Sequence, residues 1–168
     1  ITIIARGEDI LSSTPKHIMI MNALNAKVPD FCHLPLLFGP DGKKLSKRHG
    51  DTSVSSFRER GVLPETMFNY MSILGWSPGN DIEIFDKEFA ISNFDLKNVL
   101  GNPAIFDTQK LLWMNGQYIR EFDGKTFNKI ARDTIETSLS RELFSEEIER
   151  INLIVSVVQE RLETLNDL

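Results

Sequence analysis

The sequence contains a single cysteine, no long apolar run and an excess of negative over positive charge. The one cysteine, Cys32, excludes an internal disulfide and a protein-bound zinc site built from cysteines, and is typical of a reducing cytoplasm. No apolar run approaches the roughly 20 residues that a membrane-spanning helix needs, so we expect a cytoplasmic chain with no membrane partner. The net charge of −5 argues against a general nucleic-acid binder, so any RNA contact must come from local basic patches.

The bulk composition is that of an ordinary globular protein. With 168 residues, 41% of them hydrophobic and 26% charged, the chain is long enough for about one domain with a sizeable core. It begins with Ile1 inside a β-branched run, residues 1–5, that predicts a buried strand. We therefore expect a fragment of a longer protein.

The most informative stretch is residues 42–50, Gly-Lys-Lys-Leu-Ser-Lys-Arg-His-Gly, hereafter the basic loop. Its two terminal glycines permit tight turns and a close approach of the backbone to a ligand. Such a loop is either solvated surface or a binding site for a polyanion such as a triphosphate, whose charge moves during reaction. The spacing from Gly39 to Gly42-Lys43 is too short for a Walker-type phosphate loop, which excludes that alternative.

A polar turn, Arg6-Gly7-Glu8-Asp9, follows the first predicted strand. In an α/β sheet, ligands bind outside the carboxyl ends of the strands, so Arg6 and Asp9 are candidate site residues; the alternative is a surface ion pair. Thr14-Pro15 predicts the start of a helix with Thr14 as its N-cap. Leu36 and Leu37, in the apolar run before the basic loop, are predicted to be core residues.

Two histidines, His33 and His49, are weak catalytic candidates. Neither has a serine, cysteine or carboxylate at the spacing of a nucleophile and its base. Structural or solvent-facing roles are therefore favoured for both.

From residue 52 onward the sequence is predominantly helix-forming. Helix signals cover residues 52–61, 64–75, 85–94, 107–116 and 125–139, and a last helix is capped by Ser145. Its apolar positions alternate steps of three and four through residue 165, which predicts a packing seam between helices. Trp113, Tyr118 and Arg120 are candidates for contact with RNA, although buried packing is favoured for Trp113.

The segment Lys44-Leu45-Ser46-Lys47-Arg48 resembles the KMSKS-type loop of class I aminoacyl-tRNA synthetases, and the wider sequence resembles the glutamyl-tRNA synthetases in particular. The supporting motifs occur in the order of that family over roughly the first 120 residues. They are Arg6-Gly7-Glu8-Asp9 with Ser13-Thr14-Pro15, residues 35–50, residues 61–65, Asn69-Tyr70, residues 74–77, Phe106-Asp107, and Trp113-Met114-Asn115 with Tyr118-Ile119-Arg120.

The resemblance implies a mainly α fold in three parts. Residues 1–27 would be the C-terminal edge of a Rossmann-type catalytic domain. Residues 28–123 would hold the KMSKS-type loop and an α-helical module that contacts the tRNA stem. Residues 124–168 would be the first helices of an all-α anticodon-binding domain.

The resemblance also implies roles for individual residues. Arg6 would face the carboxylate of the glutamate substrate. The ATP site would comprise Asp9 at the ribose, Leu36 and Leu37 at the adenine, and the catalytic lysines Lys44 and Lys47 at the β- and γ-phosphates. Arg48, Arg120 and Arg161 would contact tRNA, and Arg161 aligns with an arginine that reads the third anticodon base in some members; the alternative for Arg161 is a solvent-facing helix residue.

The implied partners are tRNA-Glu, L-glutamate and ATP, with Mg²⁺ carried by the ATP phosphates, and the expected state is a monomer. The His-x-Gly-His motif of the family is absent from the sequence, so we expect the chain by itself to be inactive.

Two other kinds of protein remain as alternatives. One is another synthetase of the glutamate/glutamine subclass, such as a glutaminyl-tRNA synthetase or a glutamyl-queuosine-forming paralogue, both of which the helical tail disfavours. The other is a non-catalytic RNA-binding module.

Overall fold

The computed structural model describes residues 1–46, 50 and 52–168. Four short strands are described: β1 (Ile3–Gly7), β2 (Asp30–Leu34), β3 (Leu37–Phe38) and β4 (Ala104–Ile105). The helices are α1 (Thr14–Ala23), α2 (Val54–Glu59), α3 (Pro64–Ile73), α4 (Lys87–Asn93), α5 (Thr108–Glu121), α6 (Gly124–Leu139) and α7 (Ser145–Gln159). Three 3-10 segments (Glu8–Ser13, Leu96–Asn98 and Leu165–Asp167) complete the described elements. The protein is helix-rich with little sheet, as predicted.

The strands form two separate two-stranded parallel sheets. In the first, β1 pairs with β2, and the register places Arg6 beside His33 and Gly7 beside Leu34. In the second, β3 pairs with β4, with Leu37 beside Ala104. Because β3 follows β2 after only two residues, the carboxyl end of β2 is joined directly to the strand that leads into the basic loop.

Side-chain caps explain several of the helix starts. The carboxylates of Asp107 and Asp123 accept hydrogen bonds from the first backbone N–H groups of α5 and α6. Ser53 and Asp86 do the same for α2 and α4. The predicted helix over residues 125–139 is confirmed within one residue.

Five local predictions were wrong. Ser145 does not cap α7, because Phe144 is the N-cap. Residues 1–5 do not form a buried strand, because β1 begins at Ile3 and its residues are exposed or half-buried.

Thr14 does not cap α1, because Ser13 is the N-cap and the Thr14 hydroxyl is bonded elsewhere. Helix α5 does not stop at Gly116 but continues to Glu121. The side chain of Trp113 is 45% exposed rather than buried.

The apolar side chains form two main clusters. The first joins α2, α3 and α5 around Phe57, Tyr70, Phe106, Leu111 and Met114, and Leu37 and Leu45 pack against it. The second contains Leu63, Ile119, Phe127, Ala131, Val155 and Leu162. It therefore draws residues from both sides of position 124, and it includes the predicted packing seam of α7.

The side-chain amide of Asn115 joins α5 to two other parts of the chain, the α2–α3 turn with the start of α3 and the segment after α7. Asn115 is fully buried in α5. Its oxygen accepts hydrogen bonds from Leu63 N (2.8 Å) and Thr66 Oγ1 (2.8 Å). Its nitrogen donates to the carbonyl oxygens of Gly61 (3.3 Å) and Glu163 (2.7 Å). All four hydrogen-bonding positions of the amide are thus used to hold the segment after α7 against α5 and the α2–α3 turn.

Two glycines allow the segment after α7 to pack closely against α5 and the α2–α3 turn. At Gly61, where φ is +76°, an added Cβ would lie 2.7 Å from Asn166 N and 2.8 Å from Leu165 N. At Gly116 an added Cβ would lie 3.0 Å from the carbonyl oxygen of Leu162. Gly116 is therefore kept inside a continuous helix because the last segment of the chain passes directly over it.

Within the described ranges, none of the helices is both long enough and apolar enough to cross a bilayer.

Replacing Asn115 by alanine is expected to lower the free energy of unfolding by roughly 3 kcal/mol, because buried N–H, O–H and C=O groups lose their partners together. Urea denaturation measures the change. Asn152→Ala, an exposed position on α7, is the matched control and is expected to stay within about 0.5 kcal/mol of the parent. Equal effects of the two substitutions would contradict the assigned role of Asn115.

Gly61→Ala is expected to destabilise the protein by about 2 kcal/mol more than Gly79→Ala. Both glycines have positive φ, +76° and +85°, but an added Cβ at Gly79 meets nothing within 4 Å. The difference in urea midpoint between the two variants therefore isolates the contact with residues 165–166. Equal midpoints would show that this contact contributes nothing.

Candidate functional site

The structure brings the basic loop to the carboxyl end of β1. Asp9 lies in the turn just after β1, and the ammonium group of Lys44, 35 positions further along the chain, lies 3.0 Å from Asp9 Oδ2. The two predicted ATP-site residues Asp9 and Lys44 are therefore neighbours in space. This is where ligands bind in parallel α/β sheets.

A tight turn after β3 positions Lys44. Phe38 and Lys44 form an antiparallel bridge, and Leu45 N donates to the Leu37 carbonyl oxygen at 2.7 Å. The turn between them closes through Gly39 N to the Lys43 carbonyl oxygen at 2.8 Å. Since Leu45 also packs against the first core cluster, the start of the basic loop is fixed by both backbone and apolar contacts.

The Asp9–Lys44 pair is close but exposed. The hydrogen bond and the charge of Lys44 lower the pKa of Asp9 below its ordinary value. The side chains of Lys44 and Asp9 are 57% and 46% exposed, respectively, so the pair itself adds little to stability. An anion of higher charge can therefore displace Asp9 from Lys44 at a small energetic cost.

Arg6 is held by neutral groups rather than by an acid. Its Nη2 donates to Thr14 Oγ1 at 2.7 Å, and its Nη1 lies 3.0 Å from His17 Nδ1. Its Nε donates to His33 Nε2 at 3.4 Å, and the guanidinium carbon lies 5.0 Å from the centre of the Phe31 ring. In the described part of the chain Arg6 forms no ion pair, so its charge is oriented but not neutralised.

His33 and Thr14 also contact one another. Thr14 Oγ1 lies 2.9 Å from His33 Nε2. The structural role that the sequence favoured for His33 is thus a specific one, because His33 helps to orient Arg6. The sequence missed this arrangement, since it depends on the parallel register that places His33 beside Arg6.

Leu36 approaches the same strand end through its backbone. Its N–H donates to Glu8 Oε1 at 3.3 Å, and its side chain lies 3.9 Å from where a Cβ on Gly7 would be. Asp9 Oδ1 would be only 2.5 Å from that Cβ. A side chain at position 7 would therefore require the Asp9 carboxylate to shift. Leu37, by contrast, faces the first core cluster.

The remaining predicted site residues are Lys47, Arg48, Arg120 and Arg161, of which only the last two are among the described residues. Lys47 and Arg48 lie outside the described residues, as does His49. Arg120 lies near the end of α5, where its Nη1 donates to the Glu160 carbonyl oxygen at 3.4 Å. Arg161 is the next residue after Glu160 and is exposed, so the structure brings Arg120 and the Arg161 backbone together.

Across residues 1–46, 50 and 52–168, no three His, Cys, Asp or Glu side chains are grouped closely enough to hold a metal ion.

Comparison with known proteins gives a consistent result. The family model described as "tRNA synthetases class I (E and Q), catalytic domain" matches residues 1–113. Glutamate–tRNA ligase 1 of Caldanaerobacter subterraneus subsp. tengcongensis is 46% identical over 170 residues, covering 100% of this chain and 35% of the relative. The glutamate–tRNA ligase of Aquifex aeolicus is 55% identical over 122 residues, covering 72% of this chain and 26% of the relative.

A solved structure agrees with these relatives. The crystal structure of a glutamate–tRNA ligase from Elizabethkingia meningosepticum, in complex with its amino acid, superposes with a TM-score of 0.85 at 31% identity. The match covers 99% of this chain and 36% of that one. The Caldanaerobacter and Elizabethkingia proteins both match this chain over nearly its whole length. The chain spans about a third of the length of each of them.

Lys44→Met is expected to raise the pKa of Asp9 toward its ordinary value, because it removes the largest cause of the shift. Carboxyl-carbon NMR titration measures this. Asp123 is the internal control, since its pKa is lowered mainly by Thr126 and must not move. Because the folded-state pKa of Asp9 is lowered, the stabilisation from the pair is present above the ordinary pKa and is lost as the pH falls through the lowered one. An unchanged Asp9 titration would contradict the pairing.

Proposed function

The chain belongs to the class I tRNA synthetases of the E and Q type, and we propose that it is part of a glutamate–tRNA ligase. The proposed enzyme uses ATP to activate glutamate as glutamyl-adenylate and then transfers the glutamyl group to the 3′ end of tRNA-Glu. Because the chain spans about a third of its relatives, we propose that it supplies one side of the ATP site and part of the tRNA-binding surface.

In the proposed reaction, a carboxylate oxygen of glutamate attacks the α-phosphorus of ATP, and pyrophosphate leaves with the electron pair of the broken P–O bond. No covalent bond to the protein forms, so positioning and charge stabilisation provide the rate enhancement. Lys44 and Lys47 are the proposed donors to the β- and γ-phosphates. Mg²⁺ would come bound to those phosphates, as it does in most nucleotide sites.

The observation that carries this proposal is the contact between Lys44 and Asp9. It supports a nucleotide site because a cation from the basic loop is placed at the carboxyl end of β1 by a weak, exposed pair. On triphosphate binding, Lys44 would exchange Asp9 for phosphate oxygens, and Asp9 would become available for a ribose hydroxyl. The Leu36 backbone, whose N–H donates to Glu8 Oε1, would border the base.

Arg6 is the proposed receptor for the carboxylate of glutamate. Its hydrogen bonds go to Thr14 and to the two histidines His17 and His33, and no acid pairs with it among the described residues. A guanidinium that is oriented but not neutralised suits a carboxylate ligand, with which it forms charge-assisted hydrogen bonds.

We propose the same three functional units as the sequence indicated: residues 1–27 for catalysis, residues 28–123 for the basic loop and the tRNA stem, and residues 124–168 for the approach to the anticodon. Arg48, Arg120 and Arg161 are the proposed tRNA contacts. The second core cluster joins the last two units, which supports their acting as one surface. Without the His-x-Gly-His motif, the 168-residue chain is expected to have no charging activity alone.

The test is glutamylation by the full-length natural protein with tRNA-Glu and tRNA-Gln in parallel, using the parent, Lys47→Ala and the charge-matched control Lys43→Ala. Lys47→Ala is expected to lose about 100-fold or more in rate, because one donor to the transition-state charge is removed. Lys43→Ala is expected to keep most of its activity, since position 43 has no proposed phosphate contact.

Each result of the glutamylation test bears on a different proposal. A parent protein that charges neither tRNA would overturn the ligase proposal and leave a non-catalytic RNA-binding module. A Lys47→Ala variant as fast as the parent would make the basic loop a solvated surface loop. Charging of tRNA-Glu alone would support a discriminating role for Arg161.

A further inference from the structure

Trp113 is an exposed aromatic residue that the core does not use. It lies on α5 with 45% of its surface exposed, although its neighbours Leu111 and Met114 are fully buried. The other tryptophan, Trp76, is 3% exposed and packs against Phe85 and Phe94. Exposed tryptophans combined with polar neighbours are enriched at binding surfaces.

A hydrogen-bonded side chain connects Trp113 to Arg120. Trp113, Gln117 and Arg120 lie at positions i, i+4 and i+7, on one side of the helix. The Gln117 amide satisfies its hydrogen bonds when its oxygen faces this side, where it accepts from Trp113 Nε1 at 3.2 Å and from Arg120 Nη2 at 3.1 Å. The indole ring is thereby held in a fixed position beside a guanidinium.

The guanidinium of Arg120 is also fixed by the last segment of the chain. Its Nη1 and Nη2 lie 3.1 Å and 3.2 Å from where a Cβ on Gly116 would be, so it lies flat across the helix backbone. It donates to the Glu160 carbonyl oxygen at 3.4 Å, directly before exposed Arg161. Arg120 forms no ion pair with any described residue, so the cation that shares the Gln117 amide with Trp113 is uncompensated in a chain of net charge −5.

We propose that Trp113, Gln117 and Arg120 form one RNA-contact strip, in which Trp113 stacks on a base or ribose and Arg120 contacts a phosphate. The proposal rests on the tRNA-binding function proposed above and adds an aromatic contact to it. RNA is favoured over an apolar protein partner because the indole N–H and the Arg120 guanidinium share the Gln117 amide. An aromatic platform next to guanidinium groups is a common way of holding unpaired nucleotides.

The two tryptophans allow a direct test on this chain. In Trp76→Phe, Trp113 is the only indole, and in Trp113→Phe only buried Trp76 remains. Trp76→Phe costs no hydrogen bond within the described part of the chain, because Trp76 Nε1 has no partner among the described residues. Titration with a tRNA-Glu transcript is expected to quench the fluorescence of Trp76→Phe and the parent but not that of Trp113→Phe. Polyphosphate, which has charge but no bases, is expected to quench none of them.

A binding measurement complements the fluorescence. Trp113→Leu is expected to weaken tRNA-Glu binding by roughly 10-fold, because base–aromatic stacking is lost, whereas Trp113→Phe is expected to keep most of the affinity. Arg120→Gln is expected to reduce the slope of log K against log salt by about one phosphate contact. Circular dichroism confirms the fold of each variant.

The two proposals fail differently. If the parent chain does not bind tRNA-Glu at all, the RNA-contact strip falls, whereas the ligase proposal is decided by glutamylation with the full-length protein. If it binds but Trp113 is not quenched and Trp113→Leu binds as tightly as the parent, the RNA-contact strip is wrong and the tRNA-binding function stands. Quenching by polyphosphate as strong as that by tRNA would also overturn the stacking contact.

Discussion

The helical part of the structure depends on one buried amide. Asn115 satisfies the α2–α3 turn at Gly61 and Leu63, the hydroxyl of Thr66 and the backbone at Glu163 simultaneously. A buried polar group of this kind stabilises only one arrangement of its partners, because any other leaves several of them unsatisfied. The segment that contains Arg161 is therefore fixed relative to α2, the helix that follows the basic loop.

The candidate site differs from the buried amide of Asn115, because its charged groups are left available to a ligand. Lys44 and Asp9 form an exposed pair that a ligand can replace at low cost, and Arg6 is held by hydroxyl, imidazole and ring contacts that leave its charge available. Rigid elements carry both groups: the paired strands β1 and β2 hold Arg6, and the Phe38–Lys44 bridge holds the basic loop. Weak internal pairs on rigid supports favour exchange with a charged substrate.

The features that the sequence predicted depend on interactions between residues close together in the chain. The features that it missed depend on contacts between residues far apart in the chain. The start of α5 at Asp107 was visible because a capping aspartate bonds residues two or three positions away. The orienting role of His33 was not visible, since it acts on a residue 27 positions away through a sheet register. Gly116 suggested a helix end, whereas in the structure it admits the carbonyl of Leu162. Trp113 was expected to be buried because apolar helix residues usually are, but Leu111 and Met114 occupy the core side of α5.

The sequence by itself determined the family and the helical character, because these depend on motif order and on helix-forming residues. Only the tertiary structure decided that Asp9 meets Lys44, that Thr14 and His33 orient Arg6, and that Arg120 adjoins the backbone at Arg161. The physical reason is that each of these contacts joins residues far apart in the chain. Such contacts form only when buried groups such as Asn115 and the second core cluster select a single packing of the helices.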